Sequence, residues 1–492
     1  MVAPSSQILV DGAISRLGLW LDSLEAEFTS AIVAHRERQD LGAVNYLRLM
    51  QDILGRYRRG FERYRAQAAA PSDQRLRWLQ QVGSGLAELE HLFGKISVPL
   101  APTLTPLSAA FTRLLENLVP GRPPTFRPVR DFNYEIEEFH SDDFVDLLLA
   151  GVSAHQWPML FITLPTGLLD SPRAHVLVGH EIGHAVAAVH RERVVLNESE
   201  RDEANAAGEP LPPEVAPLLP VPAPPRTELL EIAKERWKEA GLPTPTSQPG
   251  VPSKPSVGGA LILEVLAEVG ADASELAQAW LEELFSDAIA TALFGPAFLV
   301  SMLDVLLTTG SMERGTYSHP PLAARLQCVG RTLQHTDLGF NASVFPPRLR
   351  ERFETAMAEA DAVLKVPLRV TPSTRPSDTR LFSVVRDLVL GRVDDVVTIA
   401  VERAKECDAL YTATRFTQDL ATYMAEFVQA GVPPIDRDAT MATVFNVGQV
   451  LCSDYLNSFC PGVDDRDKER RVDDLLLKAI EVNEIFAMWQ EA

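Results

Sequence analysis

The sequence predicts a mainly helical (α+β) protein, in which a central region with a small β-sheet is flanked by helical regions at both ends. Helical spacing indicates the flanks: apolar residues recur every three or four positions from Leu17 to Phe28, and similar periodicity runs through residues 346–492. The sheet is predicted from residues 157–165, a short apolar run that suits a β-strand.

Prolines and composition divide the chain into three predicted domains. Residues 1–120 form an N-terminal helical domain, and the proline-rich stretch 99–128 marks its end. Residues 121–335 form the central domain, with an insertion at about 198–257 that is rich in proline, alanine and charged residues. Residues 336–492 form a C-terminal helical domain. Its predicted helices are 348–364, 381–401, 414–429 and 472–488.

Composition narrows the class of protein. The chain has 492 residues, of which 46% are hydrophobic and 23% charged, as is typical of a globular protein. Its net charge of −21 argues against nucleic acid or an anionic membrane surface as the main partner. The four cysteines lack CxxC spacing and suit reduced thiols, and the start of the chain lacks a secretory signal, so we expect a cytoplasmic protein.

We expect no transmembrane segment. The longest apolar stretch, residues 288–307, is interrupted by Gly295 and Pro296 and carries Ser301 and Asp304. This stretch therefore predicts two buried helices.

Candidate chemistry is concentrated in the pentapeptide HEIGH at residues 180–184, within a run that predicts a helix over residues 174–190. Residues four positions apart lie above one another on a helix, so His180 and His184 can bind one metal ion. Glu181 is rotated about 100° away and can instead take a proton from a water molecule that attacks a carbonyl. Alternatively, the pentapeptide occurs by chance and the histidines only cap or polarise a buried helix.

A third ligand is needed, because zinc hydrolases generally use three protein ligands. On a helix predicted over residues 274–294, Glu283 and Asp287 fall on an apolar stripe, where unpaired carboxylates are costly. Glu283 is the candidate ligand, and Asp287 can accept the outer N–H of a ligand histidine. Glu275 and Glu282 are expected to be solvated. Two alternatives stay open: an exposed acidic patch at Glu283 and Asp287, or Glu282 as the ligand.

Three motifs in this order resemble the HtpX and CAAX prenyl protease type of gluzincin: HEIGH, then ELFSDAIATALFGPAF from Glu283, then SHPPLAARL from Ser318. The resemblance covers roughly residues 157–326. It implies a zincin-like metallopeptidase core, in which a strand at residues 157–165 could pair with an extended substrate.

The resemblance also implies a role for each residue that matches a motif. His180, His184 and Glu283 would bind Zn²⁺, Glu181 would be the catalytic base, and Asp287 would support a ligand histidine. His319 would help to stabilise an oxyanion, and Arg325 would brace the carboxylates. His319 is equally well interpreted as a loop residue before the Pro-Pro sequence that starts the next helix.

Together these features predict a zinc-dependent endopeptidase, a hydrolase of protein or peptide substrates that a regulatory protein partner could control. The alternative is a non-catalytic helical scaffold, or interaction protein, with a structural zincin core. The proline-rich insertion has three interpretations: a surface linker, a polyproline ligand, or a lid over the cleft.

Overall fold

The computed structural model divides into two compact units, Met1–Asp170 and Ser171–Ala492. Within the described part of the chain, no helix combines the length and the apolar composition needed to cross a membrane. The described residues are 4–37, 41–66, 82, 86, 105–120, 124–129, 135–139, 159–165, 171–203, 219, 221, 223–241, 257–309, 312–313, 315–338, 344–366 and 375–491.

The described residues of the first unit include a packed pair of helices, a further helix and three strands. The pair buries apolar residues at helical spacing, among them Leu21, Phe28 and Leu47, as the periodicity predicts. Strand β3 is central, parallel to β1 and antiparallel to β2. The elements are α1 (Pro4–Glu37), α2 (Leu41–Ala66), α3 (Thr105–Leu118), β1 (Pro124–Val129), β2 (Glu135–Phe139) and β3 (Met159–Pro165).

The second unit is built around one long helix, α6, whose C-terminal half is buried almost continuously from Leu276 to Phe294. Helices α4, α5, α7, α8, α10, α11 and α13 all contact it. The helices are α4 (Val178–Glu203), α5 (Arg226–Glu239), α6 (Val257–Phe294), α7 (Pro296–Thr309), α8 (Leu322–His335), α9 (Pro347–Leu364), α10 (Pro376–Leu390), α11 (Val393–Glu406), α12 (Ala413–Ala430), α13 (Met441–Val450) and α14 (Asp465–Glu491).

The prediction of a core with a small β-sheet is wrong for the unit that carries HEIGH. From Ser171 to Ala492 the described residues form helices and turns and no strand. The run at residues 157–165 contributes β3 to the other unit. The apolar surface of α6 is covered by neighbouring helices, so burying it requires no sheet. The mainly helical part of the prediction is confirmed.

The two units also differ from the three predicted domains. Residues 121–170 belong with the N-terminal helices, and residues 336–492 belong with the HEIGH helix. Side-chain contacts explain the second difference: Arg173, just before α4, donates from Nε to Asp473 Oδ1 on α14 at 2.7 Å. Ser301 on α7 also donates to the backbone carbonyl of Arg173 at 2.7 Å. The C-terminal helices therefore hold the start of the HEIGH helix.

Most predicted helices of the C-terminal region are present, with one exception. Residues 381–401 form two helices, α10 and α11, because the chain turns at Gly391 and Arg392. Helix α13 was not predicted. The apolar stretch 288–307 forms two buried helices as expected, because Gly295, at φ +55°, ends α6 and Pro296 begins α7.

The close crossing of α4 and α6 depends on two glycines. Gly183 faces Ser286, and a Cβ at Gly183 would lie 2.8 Å from both the Cβ and the carbonyl oxygen of Ser286. One turn earlier, a Cβ at Gly179 would lie 2.7 Å from the ring of Phe294. The order of these contacts shows that the helices run antiparallel. Without side chains at the two glycines, the helix backbones can approach closely.

We predict that Gly183→Ala destabilises the protein, because the added methyl group meets the backbone of α6, which cannot move aside locally. The expected loss in the free energy of unfolding is about 1–3 kcal/mol. Chemical denaturation measures it. Gly270→Ala on α6 is the control, because its nearest neighbour would be Leu229 Cδ1 at 4.0 Å. That control should be neutral or up to about 1 kcal/mol more stable. Equal effects of the two substitutions would contradict the packing argument.

Candidate metal centre

The two histidines of HEIGH lie in the first turns of α4. A 3₁₀ turn at Ala174–Leu177 precedes α4, so the helix predicted over residues 174–190 begins with this tighter turn. His180 and Glu181 are buried, whereas His184 is half-buried. As the four-residue spacing predicts, both imidazoles lie on the same side of the helix, with their Nε2 atoms 3.2 Å apart.

Glu283 on α6 completes a group of three potential ligands. Its Oε2 lies 3.4 Å from His180 Nε2, and its Oε1 lies 3.4 Å from His184 Nε2. Tetrahedral donors that bind zinc at about 2.0–2.1 Å lie about 3.3–3.4 Å from one another. Each imidazole Nε2 therefore lies at about this distance from one oxygen of the Glu283 carboxylate, and one ligand atom from each of the three residues lies within 4.8 Å of the others. Among the His, Cys, Asp and Glu side chains that the structure describes, His180, His184 and Glu283 form a cluster that could hold a metal ion.

The hydrogen bonds of the imidazoles show which ring nitrogen is free. His180 Nδ1 lies 2.9 Å from Asp287 Oδ1, and His184 Nδ1 lies 3.3 Å from Glu282 Oε1. A carboxylate can only accept, so both Nδ1 atoms carry a proton and donate it. In the neutral tautomers the Nε2 lone pairs then face one another and the Glu283 carboxylate. Glu283 Oε2 is buried and has no hydrogen-bond partner among the described residues.

Asp287 is fixed by Arg325 on α8. The guanidinium donates from Nε to Asp287 Oδ2 and from Nη2 to Asp287 Oδ1, both at 2.7 Å. Asp287 is fully buried at 0% exposure, and Arg325 is also buried. The guanidinium charge outweighs the effect of burial and lowers the pKa of Asp287. Asp287 therefore stays ionised and holds His180 in the tautomer that frees Nε2 for a metal.

Glu282 is not simply solvated, as the sequence had led us to expect. Its Oε1 accepts the hydrogen bond from His184, and its Oε2 pairs with the guanidinium of Arg191 on α4. Its contact with His184 is at Nδ1, on the opposite edge of the ring from Nε2, so the alternative in which Glu282 is the ligand does not fit. Glu275 is exposed, as predicted.

The charges at the centre favour a divalent cation. Glu181, Glu282, Glu283 and Asp287 bring four carboxylates, whereas Arg191 and Arg325 bring two guanidinium groups. With neutral imidazoles, two negative charges are left without a counter-charge. One divalent cation between the three donors would neutralise them.

The same carboxylates act on the imidazoles. Burial lowers the pKa of His184, but its hydrogen bonds to Glu282 and Glu283 outweigh that effect and raise the pKa to about 10. Burial likewise lowers the pKa of His180, and the charges of Glu283 and Asp287 raise it overall. Two protonated imidazoles would direct N–H groups at each other across 3.2 Å. A metal ion between the two Nε2 atoms would balance the negative charge of the carboxylates without placing two N–H groups against each other.

Glu181 lies beside the three donors but belongs to a different face of α4. Its side chain is buried. It interacts electrostatically with His184 and Arg325. A carboxylate at this position has the oxygen atoms that a general base uses to accept a proton.

His319 is brought to the open side of the centre by a tight turn. Thr316 N donates to the carbonyl of His319 at 2.7 Å, and Trp280 Nε1 donates to the carbonyl of Thr316 at 2.8 Å. The His319 side chain is 54% exposed, and its Nε2 lies 3.7 Å from Glu283 Oε1. When Ser318 Oγ donates to His319 Nδ1 at 2.7 Å, the imidazole proton is on Nε2 and faces the centre.

Part of the predicted insertion is an ordered helix. Helix α5 lies within residues 198–257 and buries Ile232, Ala233 and Trp237. Glu239 accepts from Ser377 on α10, so α5 is attached to the same unit. The remaining interpretations of the insertion concern residues 204–218 and 242–256, which lie outside the described residues.

No family model, curated protein or solved structure matches the chain. The interpretation of the centre therefore rests on its geometry and charge. All seven candidate residues from the sequence, namely His180, Glu181, His184, Glu283, Asp287, His319 and Arg325, lie together at this centre. Arg191 and Gly183 were not predicted to take part, and Glu282 was considered only as an alternative ligand, because no spacing rule identifies which residue a side chain meets across two helices.

We predict that Arg325→Met destabilises the chelator-treated protein by about 3–5 kcal/mol, because it leaves Asp287 buried without its partner. Arg331→Met is the control on the same helix, because the Arg331 side chain is 57% exposed and pairs weakly with Asp394 at 3.9 Å. It should change the free energy of unfolding by less than about 1 kcal/mol. Urea denaturation compares the variants, and similar losses in both would contradict the importance of the buried pair.

Proposed function

We propose that this protein is a zinc-dependent peptidase. The observation that supports the proposal most directly is the convergence of three potential ligands: the two Nε2 atoms lie 3.2 Å apart, and each lies 3.4 Å from one oxygen of Glu283. Three protein ligands with an accessible side are typical of a catalytic zinc site, whereas structural sites use four. His184 and His319 line the accessible side.

The residues would hold Zn²⁺ through His180 Nε2, His184 Nε2 and the Glu283 carboxylate. When bound there, zinc would polarise a carbonyl and acidify water, which is the chemistry that amide hydrolysis needs. Glu181 takes the proton of the attacking water and passes one to the leaving amine. His319 donates from Nε2 to the developing oxyanion, and Arg325 keeps Asp287 ionised beside His180.

The substrates that we propose are proteins or peptides. The acidic chain, with a net charge of −21, favours neutral or basic substrates over polyanions. We also propose a reducing, cytoplasmic setting, because all four cysteines are free and Cys328 is buried. The order of the three motifs supports the proposal that the chain is related to the HtpX and CAAX prenyl protease type of gluzincin. A regulatory partner that acts through the helical regions is part of the same proposal.

The proposal predicts one zinc per chain in the zinc-restored wild type and none in Glu283→Ala. It also predicts that Glu181→Gln keeps its zinc and fold but loses about 10²–10⁴-fold in hydrolysis, because an amide cannot accept the proton. Elemental mass spectrometry measures the metal. A digest of denatured proteins serves as the substrate pool, with new peptide termini identified by mass spectrometry.

Glu275→Gln is the control for Glu181→Gln, because Glu275 is exposed on α6 and lies about two turns before Glu283. It should match the wild type in zinc content and hydrolysis. A folded wild type that takes up no zinc would exclude the proposed site. Wild-type hydrolysis by Glu181→Gln would exclude Glu181 as the base.

A separate prediction concerns His319. Removing the imidazole in His319→Ala should leave zinc content unchanged and lower kcat by about 10²–10³-fold, as expected when one oxyanion donor is lost. Ser318→Ala is the neighbouring control and should have a smaller effect, because it keeps the imidazole and removes only its Nδ1 partner. Steady-state kinetics on a cleaved peptide from the digest separates kcat from KM. An unchanged kcat in His319→Ala would show that the residue only shapes the turn.

A further inference from the structure

Both histidines of the centre have the same arrangement behind the imidazole. His180 donates to Asp287, which is held by Arg325, and His184 donates to Glu282, which is held by Arg191. The first set joins α4, α6 and α8, and the second uses α4 and α6 alone. Asp287 was expected from the sequence, whereas Glu282 was not.

We propose that Glu282 is a positioning residue for His184, with Arg191 as the group that holds it. This inference rests on the proposed metal centre. It adds that Glu282 is the hydrogen-bond partner that positions the His184 imidazole. Glu282 accepts the Nδ1 proton and thereby keeps Nε2 unprotonated and directed at the point between His180 and Glu283.

Helix geometry explains why Glu282 and Glu283 can act on one histidine from two sides. Neighbouring residues on a helix are rotated by about 100°, so their side chains diverge. Glu283 lies at the Nε2 edge of His184, whereas Glu282 lies at the Nδ1 edge. Arg191 follows His184 by seven residues and therefore lies on the same face of α4, where it reaches the free oxygen of Glu282.

Exposure distinguishes Glu282 from Asp287. The side chains of Arg191 and Glu282 are 22% and 28% exposed, whereas Asp287 is fully buried. A partly exposed ion pair contributes little to the free energy of folding. Glu282 can therefore be removed without a large loss of stability, and its effect on the metal can be measured in a folded protein. Removing Asp287 would change the stability of the protein and its affinity for the metal at the same time.

The test is the zinc affinity of Glu282→Ala, measured by competition with a chromophoric chelator. We expect binding about 10–100-fold weaker than in the wild type, because the ring of His184 loses its orientation and its tautomer is no longer fixed. Glu282→Gln should recover part of the loss, because its amide oxygen still accepts from Nδ1. The visible absorption spectrum of the cobalt-loaded protein should change in Glu282→Ala, since it reports the ligand geometry.

Glu275→Ala is the matched control, an exposed glutamate earlier on the same helix, and should bind zinc like the wild type. Circular dichroism and thermal melting show whether each variant is folded. If Glu282→Ala does not fold, Arg191→Met tests the same arrangement, because Glu282 stays present but loses the group that holds it. Weaker binding in Arg191→Met would then support the proposal, and unchanged binding would overturn it.

The outcomes separate this proposal from the proposed function. A folded wild type without zinc affinity would overturn both. Zinc binding in the wild type, together with equal affinity and an unchanged cobalt spectrum in Glu282→Ala, would overturn the role of Glu282 alone. Equal losses in Glu282→Gln and Glu282→Ala would also count against it, because an acceptor at this position would then make no difference.

Discussion

The close antiparallel crossing of α4 and α6 is the constraint on which the rest of the structure depends. Gly183 and Ser286 meet with almost no side-chain volume between the helix backbones. At that separation a glutamate on α6 reaches imidazoles on α4, and Asp287 reaches His180 at 2.9 Å. A wider crossing would separate the donor atoms, whose spacing in turn decides whether one ion can contact all three. The glycine inside HEIGH is therefore as important for the centre as the residues that carry the chemistry.

The second constraint is electrostatic. Glu283, Asp287 and Arg325 are buried charges, and each would be costly without a partner. Arg325 compensates Asp287 through two hydrogen bonds, whereas Glu283 Oε2 is left without one among the described residues. The interior thus contains a doubly hydrogen-bonded pair beside a carboxylate whose Oε2 has only a longer contact with the arginine, 3.8 Å to Arg325 Nη1. This difference separates the supporting residues from the residue that is suited to bind a cation.

Accessibility divides the centre into two sides. The side formed by Asp287 and Arg325 is closed by α8, and the side near His319 is open. Trp280 lies on α6 one turn before Glu283, and its indole holds the turn that carries His319. A single helix therefore supplies the candidate ligand and supports the loop opposite it. This arrangement leaves the donor atoms accessible from one direction.

Much of the centre could be predicted from the sequence, because the periods of a helix determine which residues share a face. The four-residue spacing in HEIGH predicted that the two imidazoles lie together. The apolar face predicted for α6 identified Glu283 and Asp287 as the carboxylates that point into the protein. The same periodicity predicted most helices, since it depends only on neighbours along the chain.

Which helix faces pack against each other was visible only in the folded protein. Glu282 looked solvated by helical period, yet α4 lies beside it and supplies both His184 and Arg191. The run at residues 157–165 suited a strand, yet that strand belongs to the other unit, and the centre is enclosed by helices. The C-terminal helices, whose sequence shows no chemistry, hold the start of α4 through Asp473. Contacts between segments distant in sequence leave no periodic pattern. Helical periodicity therefore identifies which residues share a face, whereas the residues that each face contacts depend on the packing of the helices.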